Sequence, residues 1–210
     1  MDFGFLTGEG IKQQVKNLFR DEIDEKHIEG ASCDLTLGQE VYISGREYPE
    51  LLSRDNPFVS IPRGQFALLM TDEYVKIPKD CLGFISIKFK IKAQGLINIS
   101  GFHVDPGREG RIVFSVFNAG PSDVVLKYED PAFMIFFYKL EHRAKPYKGK
   151  FNKLEHLPTE LVTSLKGTSA SLSDVDKRVR DLEVTSRIFI GLLAAVAVGL
   201  IALFVQLIAG

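Results

Sequence analysis

Residues 188–209 hold no charged side chain. As a helix rising 1.5 Å per residue, that stretch spans about 33 Å, the thickness of a bilayer's hydrocarbon core, so it predicts a transmembrane helix. Gly191, Ala195 and Gly199 recur at every fourth position and give the span a small-residue stripe for contact with another helix. Only Gly210 follows, so the expectation is a single-pass tail anchor with the whole working domain on one side of the membrane. Lys177, Arg178, Arg180 and Arg187 flank the run, and the basic bias of cytoplasmic flanks assigns that side to the cytoplasm. No secretion signal is expected at the other end, because 1–10 lack a basic start and a long apolar run.

Ahead of the span the period changes to seven. Leu165, Leu172, Val179 and Ser186 form one set, and Thr168, Val175, Leu182 and Phe189 the interleaved one. Asp174, Asp176, Lys177, Arg178, Arg180, Asp181 and Glu183 fill the outward positions, which predicts a short coiled coil over 161–187. The alternative is a single helix without partners, but so polar a helix has nothing else to pack on. Heptads of this length fit dimers as well as trimers.

The rest reads as β structure. Asp34-Leu35-Thr36-Leu37, Glu40-Val41-Tyr42-Ile43, Phe66-Ala67-Leu68-Leu69-Met70, Gly83-Phe84-Ile85-Ser86-Ile87, 112–117 and Phe133-Met134-Ile135-Phe136-Phe137 have strand composition and length. Gly, Pro, Asn and Asp punctuate the gaps, as an all-β barrel or jelly roll requires. Ile11, Val15, Leu18 and Phe19 share one face of a helix that either packs on this barrel or lies on a membrane surface. With 210 residues, 45% hydrophobic and 25% charged, the chain can form one ordinary domain plus appendages. A net charge of -1 gives no reason to expect nucleic acid as a partner. Cys33 and Cys81 form no spaced framework, which suits a reducing compartment. His27, His103, His142 and His156 are scattered, and the sequence has no His-x-Glu followed by Pro-Cys-x-x-Cys, which argues against a zinc-dependent base deaminase.

Two stretches carry candidate chemistry. Asp105-Pro106-Gly107 turns the chain immediately before the strand over 112–117, so an acid is held at a strand mouth. It can orient a water or a sugar hydroxyl there, or simply turn the chain. In Lys88-Phe89-Lys90-Ile91-Lys92-Ala93, strand alternation puts Lys88, Lys90 and Lys92 on one face and Phe89, Ile91 and Ala93 on the other. Three like charges on one face make either a solvated edge that discourages aggregation or a phosphate cradle.

The segment Val104-Asp105-Pro106-Gly107 with Gly110 and Asn118 resembles the third motif of the dUTPase and dCTP deaminase superfamily. Ala31-Ser32-Cys33-Asp34-Leu35-Thr36-Leu37-Gly38 is similar to its first motif. The resemblance covers roughly Leu6 to Asn152 and implies a dUTPase-like β-barrel or distorted jelly roll with an N-terminal helix, assembled as a homotrimer with sites at subunit boundaries. It also implies nucleotide-binding roles for Lys88, Lys90 and Lys92 at the second motif, and for Asp105, Arg108 and Asn118. Pro146-Tyr147-Lys148-Gly149-Lys150-Phe151-Asn152 is similar to the deaminases' closing tail, which brings in Tyr147 and Lys150; as residues alone, the same segment reads equally as a surface loop.

Several family positions are changed. Phe89 and Lys90 stand where the family has phosphate-binding serines, and Ala93 where the deaminases have an arginine. Ser115 occupies the position of the deaminases' proton-shuttling glutamate, and a hydroxyl cannot replace a carboxylate in that work. Arg108 replaces the aromatic that the dUTPases place beneath the deoxyribose, and Asp105 matches their water-orienting acid.

The expected organisation is a dCTP deaminase/dUTPase-like head over 1–152, a linker over 153–160, a coiled-coil stalk over 161–187 and a membrane anchor over 188–210. The expected function is a membrane-anchored sensor or effector that binds a nucleotide or nucleotide-derived ligand, with lost or reduced catalysis, in antiviral defence. No cofactor or metal is expected in the protein, and a bound triphosphate would bring Mg2+. One rival reading is an active dCTP deaminase or dUTP pyrophosphatase in deoxynucleotide metabolism, using Asp105. Another is a non-catalytic membrane scaffold for a protein partner.

Overall fold

A computed structural model describes residues 3–166 and 172–209. The N-terminal part has the mostly β architecture expected. Strand β1 (Gly4–Phe5) leads into helix α1 (Gly8–Leu18), followed by β2 (Ile28–Glu29), β3 (Ser32–Ile43), β4 (Glu50–Leu51), β5 (Phe58–Ile61) and β6 (Phe66–Thr71). Next come β7 (Val75–Lys76), β8 (Cys81–Ile87), helix α2 (Phe89–Lys92), β9 (Leu96–Asn98), β10 (His103–Val104) and β11 (Glu109–Gly110). Strands β12 (Val113–Asn118), β13 (Val124–Lys127) and β14 (Pro131–Lys139) complete the barrel, and helices α3 (Thr159–Leu165) and α4 (Leu172–Ala209) follow.

Among the described residues the strands pair antiparallel, with one isolated parallel bridge between Gly110 and Leu154, and the main sheet runs β10-β8-β14-β3-β6-β12-β9. The two expected strands at Asp34 and Glu40 are one continuous strand, β3, because it serves two neighbours in turn. Its first half pairs with β14 and its second with β6, with a register shift between Leu37 and Val41. Gly38 sits in that shift, where a Cβ would lie 2.7 Å from the Thr71 carbonyl oxygen. Only a residue without a side chain lets the strands approach this closely.

Alternation decides which faces are buried. In β12, Phe114, Val116 and Asn118 point inward while Val113, Ser115 and Phe117 are half-buried. Phe114 stacks on Phe133 with centroids 4.1 Å apart and planes at 10°, both fully buried, and each such ring contributes about 1.5–3 kcal/mol by leaving water. Thr7 caps α1 by accepting from Gly10 N at 3.2 Å, and Ile11 and Leu18 enter the barrel core. The core-packing reading of that helix is the observed one.

The lysine run is not a strand. The Lys88 N–H makes the last ladder-like bond, to the Ala132 carbonyl at 3.0 Å, and the chain then coils so that Ala93 N donates to Phe89 O at 2.8 Å. Helical spacing replaces alternation: Ile91 is buried, Phe89 is exposed, and Lys90 no longer shares a face with Lys92.

The expected stalk boundary also moves. Leu157 and Val162 are buried with Tyr42, Leu68 and Met70, and Leu161 and Leu165 pack against the same cluster. Leu165, read as the first heptad position, therefore belongs to the barrel, because apolar strand side chains there offer it more burial than a polar helix could. Helix α3 ends at an extended Lys166, and Thr168 lies outside the described residues.

The second unit is α4, whose 38 residues form one helix across the expected boundary at 188. Its segment Lys177–Ile208 is long and apolar enough to cross a membrane. Val175, Val179, Leu182 and Phe189 are exposed on it, as are Ile188, Leu193 and Leu200.

Candidate functional site

The turn after β10 is pinned on both sides. Gly107 N donates to Ile77 O at 2.8 Å and Arg108 N to Asp105 O at 3.1 Å. Gly107 has φ +76°, and a Cβ there would meet Pro146 at 2.6 Å, so both backbone and packing call for glycine. The segment after β14 lies along this turn: Tyr147 N donates to Pro106 O at 2.8 Å, Lys153 N to Glu109 O at 2.7 Å and Arg111 N to Leu154 O at 2.9 Å. Glu109 N donates to Asn152 Oδ1 at 2.8 Å. The aromatic and basic tail is thus built onto the Asp-Pro-Gly turn of its own chain.

Between turn and tail lies a cavity of about 210 Å³, lined by Asp105, Arg108, His103, Ser100, Tyr147 and Phe151 over an apolar floor that includes Ile85, Val104 and Ile112. Asp105 is its only lining carboxylate among the described residues. His103 Nε2 stands 3.5 Å from Asp105 Oδ1, and both side chains are close to half exposed. The Asp105 carboxylate can therefore accept a hydrogen bond from a water or a sugar hydroxyl entering the cavity. Arg108 is largely buried, and burial pulls its guanidinium below the ordinary arginine value against the opposing pull of Tyr147, Asp105 and Tyr74. Ser115 sits behind the wall, where its carbonyl accepts from Ser100 N at 3.3 Å and Ile99 N at 2.9 Å.

The sequence-derived residues divide into groups. Asp105, Arg108 and Tyr147 converge on this cavity. Lys88 and Lys90 line a separate cavity of about 220 Å³ with Phe58, Gln94, Val125 and Lys127, and no residue lines both. Lys88 pairs with Asp34 of the first-motif strand, and Lys92 donates to Ser86 Oγ at 2.6 Å. Lys150 pairs with Glu160 and lies 5.1 Å from the Phe151 ring centre, outside the cavity lining. Asn118 is fully buried: it donates to Ile61 O at 2.8 Å and Ser122 O at 2.9 Å and accepts from Gly120 N at 2.9 Å. Its family position orders a loop here, and its amide has no free face for a ligand.

Three of the cavity's polar and aromatic residues, His103, Ser100 and Phe151, went unassigned in the sequence. His103 precedes Asp105 by two, and same-face spacing on an extended chain was the available signal. Phe151 stood inside the tail motif, but nothing local told which of its aromatics faces inward.

Among the described residues, no group of three or more His, Cys, Asp or Glu side chains is arranged to hold a metal. Cys33 and Cys81 are buried free thiols, pushed up to about 12 and about 11 chiefly by burial, which makes them poor nucleophiles. Among the described residues, one acid outside the cavity is shifted upward. Glu73 is raised to about 7, mainly by burial, although Thr36 donates to it through N at 2.9 Å and Oγ1 at 2.8 Å.

Comparison with known proteins agrees with this architecture. Residues 5–140 match the family model for dCTP deaminase-like proteins. The dCTP deaminase of Thermococcus kodakarensis is 34% identical over 143 residues, covering 68% of this chain and 90% of the relative. That of Thermococcus sibiricus is 31% identical over 143 residues, covering 68% and 89%. The crystal structure of 2′-deoxycytidine 5′-triphosphate deaminase from Agrobacterium tumefaciens superimposes with a TM-score of 0.57 at 15% identity, over 66% of this chain and 50% of that one, and shares the fold. Helices α3 and α4 lie beyond the matched residues. The chain belongs to the dCTP deaminase-like family and carries, after the family domain, a long apolar helix.

Proposed function

We propose that this protein is a membrane-anchored, trimeric, nucleotide-binding member of its family with lost or reduced catalysis, working as a sensor or effector. The observation that carries the reading is the cavity's inventory. It keeps the turn, the acid Asp105 and the tail aromatics Tyr147 and Phe151, yet Asp105 is its only lining carboxylate among the described residues. Deamination needs a group that both takes and returns protons, and Ser115 supplies a hydroxyl at the strand position where the family has glutamate.

The separation of the lysines from Asp105 within one chain supports sites shared between chains, where one copy's Lys88 or Lys90 faces its neighbour's Asp105. A line of rings, exposed at Phe102 and Phe5 and half-buried at Phe84 and Tyr138, supports assembly: the four follow one another in the order Phe102, Phe84, Phe5, Tyr138 at 6.2, 5.7 and 5.2 Å. Mg2+ would arrive with a bound triphosphate. With α4 as the anchor and the basic flank in the cytoplasm, ligand binding in the head would be reported at the membrane, and a nucleotide-signalled antiviral response fits that arrangement.

Calorimetric titration of the full chain in detergent with dCTP, dUTP and a wider nucleotide panel, with products resolved by chromatography, tests the reading. Binding without turnover is expected. Turnover that Asp105→Asn abolishes would establish an active deaminase or pyrophosphatase, the reading favoured by the relatives' names and by the retained Asp105. No heat with any nucleotide would favour a scaffold for a protein partner.

A further inference from the structure

Arg108 is a charged group that the cavity buries without using. Its backbone is fixed at both ends, N to Asp105 O at 3.1 Å and O from Ile77 N at 2.8 Å, so its side chain leaves from a set position. Among the described residues the guanidinium has no hydrogen-bond or ion-pair partner, and Nη1 is sealed from solvent as well. Its neighbours do not supply one. Asp105 already faces His103 at 3.5 Å, and Tyr74 is covered by the Arg20 guanidinium 3.8 Å above its ring. Leaving a buried donor unmet is costly, and a planar five-donor cation is the side chain best shaped to grip a phosphoryl group with two parallel bonds.

Position matters as much as charge. Arg108 stands three residues after Asp105 in the turn, where the dUTPase resemblance puts an aromatic beneath the sugar. A lysine-lined cavity elsewhere on the chain is available for the phosphates of a 5′ chain. We infer that Arg108 binds a phosphoryl group carried on the sugar itself, so that the ligand is a nucleotide bearing a 2′- or 3′-linked phosphate or phosphodiester. This rests on the reading that the cavity takes a nucleotide, and it names the class.

The test compares two ligands with the same base and the same number of phosphates, placed differently: a nucleoside 3′,5′-bisphosphate and the matching nucleoside 5′-diphosphate. Each of the four common bases is titrated into the full chain in detergent by calorimetry. For at least one base the bisphosphate is expected to bind roughly tenfold tighter or more, the scale of a charge-assisted bidentate contact. Arg108→Gln is expected to erase that advantage, so that bisphosphate and diphosphate bind within about twofold of each other, and Arg108→Lys to keep part of it. The wild-type comparison stands even if a variant fails to fold. A 3′–5′-linked dinucleotide in place of the bisphosphate separates a bridging phosphate from a terminal one, and tighter binding of either supports the assignment. Equal affinity for bisphosphate and diphosphate with every base and no gain with the dinucleotide, or a preference that survives Arg108→Gln, overturns it while the nucleotide reading stands. Absence of binding by any nucleotide removes both.

Discussion

Replacing Glu73 with glutamine should change how stability depends on pH. The Glu73 carboxyl is raised from 4.5 to about 7, mainly because it is buried, with Asp72 adding a like charge, while the Thr36 N–H and hydroxyl favour the ionised form. A carboxyl whose folded value lies above its unfolded one holds its proton longer when folded. Its contribution is therefore fully present below about pH 4.5 and is lost as pH rises through 7. At about 1.36 kcal/mol per pH unit, that shift sets a loss on the order of 3 kcal/mol between pH 4.5 and 8.5. Glutamine keeps an oxygen for Thr36 and cannot ionise, so Glu73→Gln should gain on wild type by about this amount over the same range, most of it between pH 4.5 and about 7 and levelling off above. Urea unfolding of the full chain in detergent, followed by tyrosine near-ultraviolet dichroism, reads the head alone, because all six tyrosines lie in it and there is no tryptophan. A difference between the two proteins that stays flat from pH 4.5 to 8.5 would refute burial as the dominant influence on Glu73.

Other substitutions probe the frame around the cavity. Gly38→Ala forces a Cβ to within 2.7 Å of the Thr71 carbonyl and should destabilise the barrel by about 3 kcal/mol in the same unfolding assay. Asn118→Ala strands the Ile61 and Ser122 carbonyls and the Gly120 N–H, and should cost about 3 kcal/mol while leaving nucleotide affinity unchanged wherever the barrel stays folded. Val162→Asp puts an unpaired charge among Tyr42, Leu68 and Met70, so α3 should detach and tryptic cleavage after Lys166 should accelerate by roughly tenfold or more. An unchanged cleavage rate would mean that α3 is not held by that contact.

Much of the fold was legible because its signals are local. Strand composition, turn residues and the inward set Phe114 and Val116 follow from a period of two, and α1 from a period near four. The lysine run misled because a residue every second position satisfies alternation whether or not a partner strand exists. Here β8 stops at Ile87 and the chain coils into α2 instead. The heptad was read one element too early for a related reason. Leu161 and Leu165 fit a helical seam, and nothing in their spacing shows that Tyr42, Leu68 and Met70 wait on the barrel to cover them.

The cavity was only half visible. Asp105 and Tyr147 could be named from their motifs, but their meeting depends on the 146–154 segment crossing the Asp-Pro-Gly turn, a contact between stretches some forty residues apart. The sequence by itself determined the alternating barrel strands, the Asp-Pro-Gly turn and an uncharged helix of membrane length, because each is set by neighbours a few residues away. Tertiary structure alone decided that Asn118 is walled in, that Lys88 and Asp105 belong to different cavities, and that Arg108 Nη1 is sealed without a partner among the described residues. Burial and pairing are properties of what the rest of the chain brings alongside a side chain, and no local spacing encodes them.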